Sequence, residues 1–274
     1  LMSDSMAWLW PDEHAILPPD DRGLAYAQGV FETIRVGAVG PVLLSSHRDR
    51  LLNGCRALGI PFGATGFDQW REEAERRCLL TPPERTVRLT VTAGSGGKGY
   101  RAPDPVIPRV ITSAGSVPGL PGGPVRVRSC RQPVHVPPGR GGLKSLDRLD
   151  QVLASGELEP ADFEGLMFNM DGAPLEGTRT NIFVLVDDQV LTPPSGELAV
   201  VGTLRNWLAD TLPAMGYGFA ETTFTPDLLN SHGLLLGNSV MGLVCANLLD
   251  DCELPVSDPA RALREEVATC LGLS

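Results

Sequence analysis

Two short stretches hold residues whose types and spacing could do chemistry. One is Gly142-Leu-Lys144-Ser-Leu-Asp-Arg-Leu-Asp-Gln-Val-Leu153. The other, Glu176-Gly-Thr-Arg-Thr-Asn-Ile-Phe183, begins 32 residues after Lys144. A lysine at the mouth of a helix can form a Schiff base with a carbonyl compound. A carboxylate presented by a second element can hold a pyridine nitrogen protonated. Together they suit pyridoxal 5'-phosphate (PLP), whose ring needs a covalent anchor and a partner for its ring nitrogen. Lys144 by itself reads as a solvated surface lysine.

Such a cofactor also brings a phosphate dianion, which wants backbone N–H groups at a helix start, hydroxyls and an arginine. Val201-Gly-Thr-Leu-Arg205 offers a helix start, with Gly202 letting the backbone approach closely and Thr203 and Leu204 opening the helix. Asn238-Ser239 ends an expected strand and adds the Ser239 hydroxyl; Arg50, on an expected helix, adds charge. Taken singly, these are an ordinary helix start, a turn and a surface arginine. Thr92-Ala-Gly-Ser-Gly-Gly-Lys-Gly-Tyr100 tempts a nucleotide reading and fails it. Thr92 stands where a P-loop needs glycine, and no Ser or Thr follows Lys98. Arg101-Ala-Pro-Asp-Pro105 cannot be the helix of a dinucleotide fingerprint. The segment reads as a flexible loop facing substrate, or equally as a tight connection.

The elements that must position these residues follow from periodicity. Residues 30–36 and 86–92 are β-branched and alternate as strands do, with 42–44 as a partner strand and 106–112 as another. Residues 46–58 open on a serine suited to capping and carry apolar positions at helical spacing, as do 67–80. Residues 113–124 hold seven Gly or Pro in twelve and read as a linker. The expectation is a small N-terminal α+β domain over 1–117 and a larger C-terminal domain over 118–274. In the second, 125–129, 164–169, 181–186, 217–223, 234–237 and 242–246 read as strands, with turns at Asp171-Gly172 and Asp187-Asp188. Helices are expected at 203–212, at 260–270 and after Lys144, where Leu146, Leu149, Val152 and Leu153 mark one apolar face.

Composition narrows the classes. A formal charge of −10 with 20% charged residues argues against a nucleic-acid face. Six cysteines without a Cys-x-x-Cys pair and only four histidines disfavour a structural metal. Reduced, buried thiols in a cytoplasmic protein are the simplest reading. No apolar run is long enough for a membrane span, and the acidic stretch through Asp4, Asp12, Glu13, Asp20 and Asp21 does not read as a signal peptide.

In order along the chain stand Arg22-Gly-x-x-Tyr-x-x-Gly-Val-Phe-Glu-Thr-x-Arg35, His47-x-x-Arg-Leu51, Gly142-Leu-Lys144, Glu176-Gly-x-x-x-Asn-Ile-Phe183, Gly202-x-x-Arg205 and Asn238-Ser239. In these motifs the chain resembles the fold-type IV PLP enzymes, the class IV aminotransferase family. The resemblance implies a two-domain α/β (α+β) fold like that of D-amino acid aminotransferases, with PLP in the interdomain cleft, and a homodimer. It makes Lys144 the Schiff-base lysine, sets Glu176 at the ring nitrogen, and gives the phosphate to Arg50, Thr203, Leu204 and Ser239.

Three subgroups compete. Branched-chain aminotransferases place a tyrosine where Leu149 stands. D-amino acid transaminases carry Arg-x-His where Lys98-Gly99-Tyr100 stands, and a tyrosine at Phe31. The 4-amino-4-deoxychorismate lyases match best, through Gly94-Ser-Gly-Gly-Lys-Gly-Tyr100, the Lys144 to Leu153 run, and Asn238. That resemblance implies a carbon–oxygen/carbon–carbon lyase releasing 4-aminobenzoate and pyruvate for folate synthesis, with Tyr100, Lys98 and Asn238 touching substrate. The alternative is a transaminase of D-amino or branched-chain amino acids. Three positions depart from the lyase pattern: Gln28 where Asp is usual, Ala93 for Arg, and Asp147 for Asn.

Overall fold

The structure, a computed structural model, describes residues 6–11, 16–136 and 139–273. Residues 1–5 and 12–15 of the acidic N-terminal stretch lie outside the described residues. The chain divides into two compact units, Leu1–Pro118 with Leu143–Asp147, and Gly119–Gly142 with Arg148–Ser274. The Lys144 segment therefore belongs to the first unit, not to the 118–274 domain in which its sequence position puts it.

The first unit contains β1 (Ala7–Leu9), α1 (Arg22–Tyr26), β2 (Gly29–Gly37), β3 (Gly40–Pro41), α2 (Leu44–Ala57), α3 (Ala64–Arg76), β4 (Arg85–Thr92) and β5 (Arg109–Gly115). Its sheet runs β1-β5-β4-β2-β3. The antiparallel centre is set by the register Val30↔Val91 and Ile34↔Val87 between β2 and β4. Ile34, Val36, Val87, Leu89 and Val91 are buried against Leu51 of α2 and against Phe67 and Trp70 of α3. The Trp70 indole N–H donates to Thr112 Oγ1 at 3.0 Å, which satisfies the one polar atom of a fully buried side chain.

Residues 42–44 are not a strand. β3 ends at Pro41, Leu43 takes a left-handed conformation (φ 51°), and α2 starts at Leu44 with no side-chain cap. Ser46 is thus inside the helix rather than capping it. β5 extends to Gly115, so the linker starts later than residue 113.

The second unit contains β6 (Val125–Ser129), α4 (Leu149–Ser155), β7 (Glu164–Phe168), β8 (Pro174–Gly177), β9 (Asn181–Val186), β10 (Gln189–Thr192), α5 (Thr203–Thr211), β11 (Gly218–Glu221), α6 (Pro226–His232), β12 (Leu234–Asn238), β13 (Gly242–Leu249), β14 (Cys252–Glu253) and α7 (Asp258–Leu271). Its sheet runs β11-β10-β9-β12-β13-β6-β7-β8, and a further β8–β9 pairing closes β9, β12, β13, β6, β7 and β8 into a ring. The β7–β8 turn forms as Asp171-Gly172 suggests: Gly172 supplies φ +83°, and Asn169 Oδ1 accepts from Asp171 N and Ala173 N. Val127, Leu166, Ile182, Val184, Leu236 and Val244 fill the interior.

Burial departs from the apolar pattern at α4 and from the expected buried thiols. Leu149, Val152 and Leu153 of α4 are 63%, 63% and 50% exposed, so its apolar face points outward. Cys78, Cys252 and Cys270 are exposed, and only Cys55, Cys130 and Cys245 are buried. No helix among the described residues is long and apolar enough to cross a membrane.

Gly94 shows how tightly β4 hands over to the loop that follows. Its φ is +67°, and a Cβ there would lie 2.0 Å from Ile107 O. Gly94→Ala should cost about 3 kcal/mol or more, combining left-handed strain with a backbone clash. Urea unfolding checks this, and a loss below about 1 kcal/mol would show that the loop can shift away.

Candidate active site

Lys144 does not sit at a helix mouth; α4 begins only at Leu149. The lysine is in extended chain laid along the edge of β2. Phe31 N donates to Lys144 O at 3.0 Å and Leu146 N to Gly29 O at 2.9 Å, with Val30 and Ser145 as a bridge between them. This edge is open because β3 pairs only with Val36 and Gly37. The Lys144 amine lies 4.6 Å from the centroid of the Phe31 ring, and the Arg88 guanidinium lies 3.8 Å from the same centroid. An aromatic face flanked by two cations holds both by its quadrupole. Burial lowers the Arg88 pKa.

Arg50 is fixed by the opposite face of β2. Its Nε donates to Glu32 Oε1 at 2.7 Å and its Nη2 to Glu32 Oε2 at 2.5 Å. His47 Nδ1 lies 2.6 Å from the same Oε2. Burial alone would raise the Glu32 pKa, but the Arg50 and His47 contacts outweigh it and bring it down to about 2. Burial also lowers the His47 pKa, only partly opposed by Glu32. His47 and Arg50 stand three apart on α2 and share a face. The same spacing stands in the His47-x-x-Arg-Leu51 motif, which carried the resemblance but gave no sign of the pairing with Glu32.

In the second unit Glu176 is 3% exposed on β8. Its Oε2 accepts from Ala199 N at 3.1 Å and Val200 N at 3.3 Å; its Oε1 accepts from Gln151 Nε2 at 3.3 Å. Burial pushes its pKa up to about 7, against the opposing effect of these donors and of Arg148. Val200 O in turn accepts from Asn181 Nδ2 at 3.0 Å, and a Cβ on Gly202 would fall 2.0 Å from Asn181 Oδ1. The carboxyl is thereby linked, residue by residue, to the start of α5. There Gly202 provides no side-chain cap, and Thr203 and Leu204 are buried at 3% and 1%. A buried helix start lacking a cap has N–H groups suited to an anion.

The turn between β8 and β9 is built on the buried Glu164, which accepts from Thr178 N, Thr178 Oγ1 and Thr180 Oγ1. Ser239 is buried just past β12. The Asn238 carboxamide is committed to its own turn, accepting from Val240 N and Met241 N and donating to Arg179 O. Arg205 is 4% exposed and pairs with Glu221, which gives it a structural place. Lys98 and Tyr100 are on the exposed loop of the first unit. Sequence reasoning missed Arg88, Glu32 and Gln151.

The class IV amino-transferase family profile matches residues 29–247. The chain belongs to that family. A 4-amino-4-deoxychorismate lyase from Pseudomonas aeruginosa superimposes with a TM-score of 0.86 at 32% identity, covering 95% of this chain and 97% of that one. An aminodeoxychorismate lyase from Vibrio harveyi is 27% identical over 241 residues, 85% of this chain and 86% of its own. A bifunctional aminodeoxychorismate lyase / D-amino acid transaminase from Mycobacterium tuberculosis is 26% identical over 277 residues, 92% of each. Enzymes of this family use PLP, and the residues here fit it. A buried carboxyl that keeps a raised pKa despite its N–H donors and the charge of Arg148 suits a protonated ring nitrogen, and an uncapped buried helix start suits a phosphate.

Glu176 also makes a prediction about the cofactor-free fold. Its pKa is raised from 4.5 to about 7, so its contribution is most favourable below the unfolded value and is lost as pH rises through the folded one. Glu176→Gln, which cannot ionise, should gain up to about 3 kcal/mol on wild type as pH rises from about 5 to about 8. Denaturant unfolding of the two proteins at both pH values checks this; a pH-independent difference would refute it.

Proposed function

We propose that the chain is a PLP-dependent lyase that converts 4-amino-4-deoxychorismate to 4-aminobenzoate and pyruvate, a step toward folate. The observation that carries the reading is Glu176, a buried carboxyl whose pKa is raised to about 7 despite its hydrogen-bond donors and Arg148, in a chain with 32% identity to a lyase of that name. Lys144 would anchor the cofactor, Glu176 would hold its ring nitrogen, and Arg50, Thr203, Leu204 and Ser239 would hold its phosphate. When bound, PLP supplies an electron-withdrawing ring conjugated to the substrate's nitrogen.

The residues' own tasks are modest. The Lys144 amine takes the proton from the ring carbon that bears the substrate's nitrogen. The carbon–oxygen bond to the enolpyruvyl group breaks, one proton returns to that group as it leaves as pyruvate, and the ring becomes aromatic. Lys98 and Tyr100 would meet the substrate carboxylates, with Arg88 adding charge near Lys144 and Asn238 shaping the turn at the substrate's edge. Arg88 offsets the charge missing at Ala93, which is fully buried.

Transamination of D-amino acids is the second reading, favoured by the bifunctional relative. We also place the protein in the cytoplasm as a homodimer. Six unpaired cysteines support the first, and the outward apolar face of α4 supports the second.

Pyruvate and 4-aminobenzoate should appear in equal amounts from 4-amino-4-deoxychorismate, and Lys144→Ala should lose both this release and the visible absorption of bound cofactor. Full turnover by that variant would sink the assignment of Lys144. D-Alanine converting the bound cofactor to its amine form, without pyruvate release from the dicarboxylate, would instead favour the transaminase. Sedimentation should give the mass of two chains, and Leu153→Asp should shift it toward one; an unchanged mass would remove α4 from the interface.

A further inference from the structure

Arg22 is 2% exposed, and its side chain meets only neutral groups. Its Nε donates to Gln28 Oε1 at 2.6 Å, its Nη1 to Gly96 O at 3.1 Å and Gly99 O at 3.3 Å, and its Nη2 to Tyr100 O at 2.7 Å. The guanidinium lies 4.9 Å from the centroid of the Tyr26 ring, which meets the Tyr100 ring edge-on at 5.5 Å. No carboxylate among the described residues pairs with it. The adjacent acid, Asp21, is taken by Arg109, Thr92 Oγ1 and Gly23 N. The Gln28 amide is oriented from its far end, where Nε2 donates to Leu58 O at 3.2 Å.

The loop that carries Lys98 and Tyr100 is therefore wrapped around a buried cation. Gly94, Gly96, Gly97 and Gly99 all have positive φ, and a Cβ on Gly97 would reach 3.0 Å from Arg22 Nη1. Carbonyl dipoles satisfy the guanidinium's hydrogen bonds without cancelling its charge. Being shielded from solvent, that charge is screened less than a surface lysine's.

We infer that Arg22 is a positioning and specificity-determining residue: it shapes the Gly94–Arg101 loop and adds an uncompensated positive charge that favours a dianionic substrate. Gln28 leaves that charge intact, where a carboxylate would neutralise it. The inference rests on the reading of Lys98 and Tyr100 as substrate contacts.

The test is binding of chorismate, a dicarboxylate lacking the reacting amine, to the PLP-loaded enzyme by calorimetry. Gln28→Glu keeps an acceptor on Arg22 Nε but cancels its charge. Its Kd for chorismate should rise about tenfold at low salt, and its dependence on ionic strength should flatten. Gln28→Met removes the hydrogen bond and keeps the charge, so its Kd should stay within about twofold of wild type. Equal losses in the two variants, or none in Gln28→Glu, would overturn the inference. Wild type gives a reading free of any variant: chorismate should bind more tightly than the monocarboxylate benzoate and lose affinity more steeply with salt, and no such contrast would also overturn it. Pyruvate release separates the two ideas. Charge-sensitive chorismate binding without release from 4-amino-4-deoxychorismate sinks the lyase reading alone; release with charge-insensitive binding sinks this inference alone.

Discussion

The free edge of β2 is the constraint on which the first unit's chemistry depends. β4 occupies one side of that strand along its whole length, and β3 takes only the far end of the other. Of the remaining edge groups, Phe31 N donates to Lys144 O and Gly29 O accepts from Leu146 N. A buried strand edge must find partners, and here it finds them in the segment that bears the reactive amine. Strand alternation then sets the rest. Phe31 faces the lysine, while the next residue, Glu32, faces α2 and fixes Arg50 and His47. Gly29 is required because a Cβ would lie 2.7 Å from Leu146 Cδ1 and 2.8 Å from Val91 O.

Glu32 and Glu176 are the same residue type, both almost fully buried, and their pKa values move in opposite directions. Burial opposes ionisation in both. Glu32 overcomes it with a bidentate arginine and a histidine. Glu176 has two backbone N–H groups, a glutamine and the charge of Arg148 nearby, which together are too weak to do so. This difference separates their roles. Glu32 already has its cation and serves to hold one side chain in place. Glu176 feels the charge of Arg148 but keeps a raised pKa, so a protonated ring nitrogen would complete what the fold leaves incomplete.

The longer strands β2, β4, β9 and β13 were legible because their patterns are long and β-branched, while the short β1, β3, β8, β10 and β14 were not, and the Asp171-Gly172 turn was legible because glycine there supplies positive φ. Less was legible where tertiary packing overrides local signals. Ser46 has the chemistry of a cap, but Leu43 turns the chain left-handed and starts α2 two residues earlier. The apolar positions of α4 have helical spacing, yet periodicity cannot say whether such a face meets a core or the outside. The glycine loop read equally as a flexible loop or as a tight connection, because glycines signal freedom locally and cannot choose between them. Its order comes from Arg22, more than seventy residues earlier in sequence, which spacing arguments do not reach. Of the candidate site, Lys144 and Glu176 were visible as types and positions. The cations around Phe31 were not, because Arg88 faces that ring only through the β2–β4 register.

Charge gives this arrangement its direction. The chain carries a net −10, so its average field repels an anion. A dianion can be drawn in only by local cations whose effect exceeds that background. Salt screens the distant surface acids first, since they are solvated and spread over more than a Debye length. A buried guanidinium solvated by carbonyls is screened less, so its contribution persists where that of surface lysines fades. Burying Arg22 without an acid partner costs desolvation, which the five hydrogen bonds at its guanidinium offset. What the fold gains is a positive charge at the loop that neither solvent nor a neighbouring carboxylate cancels.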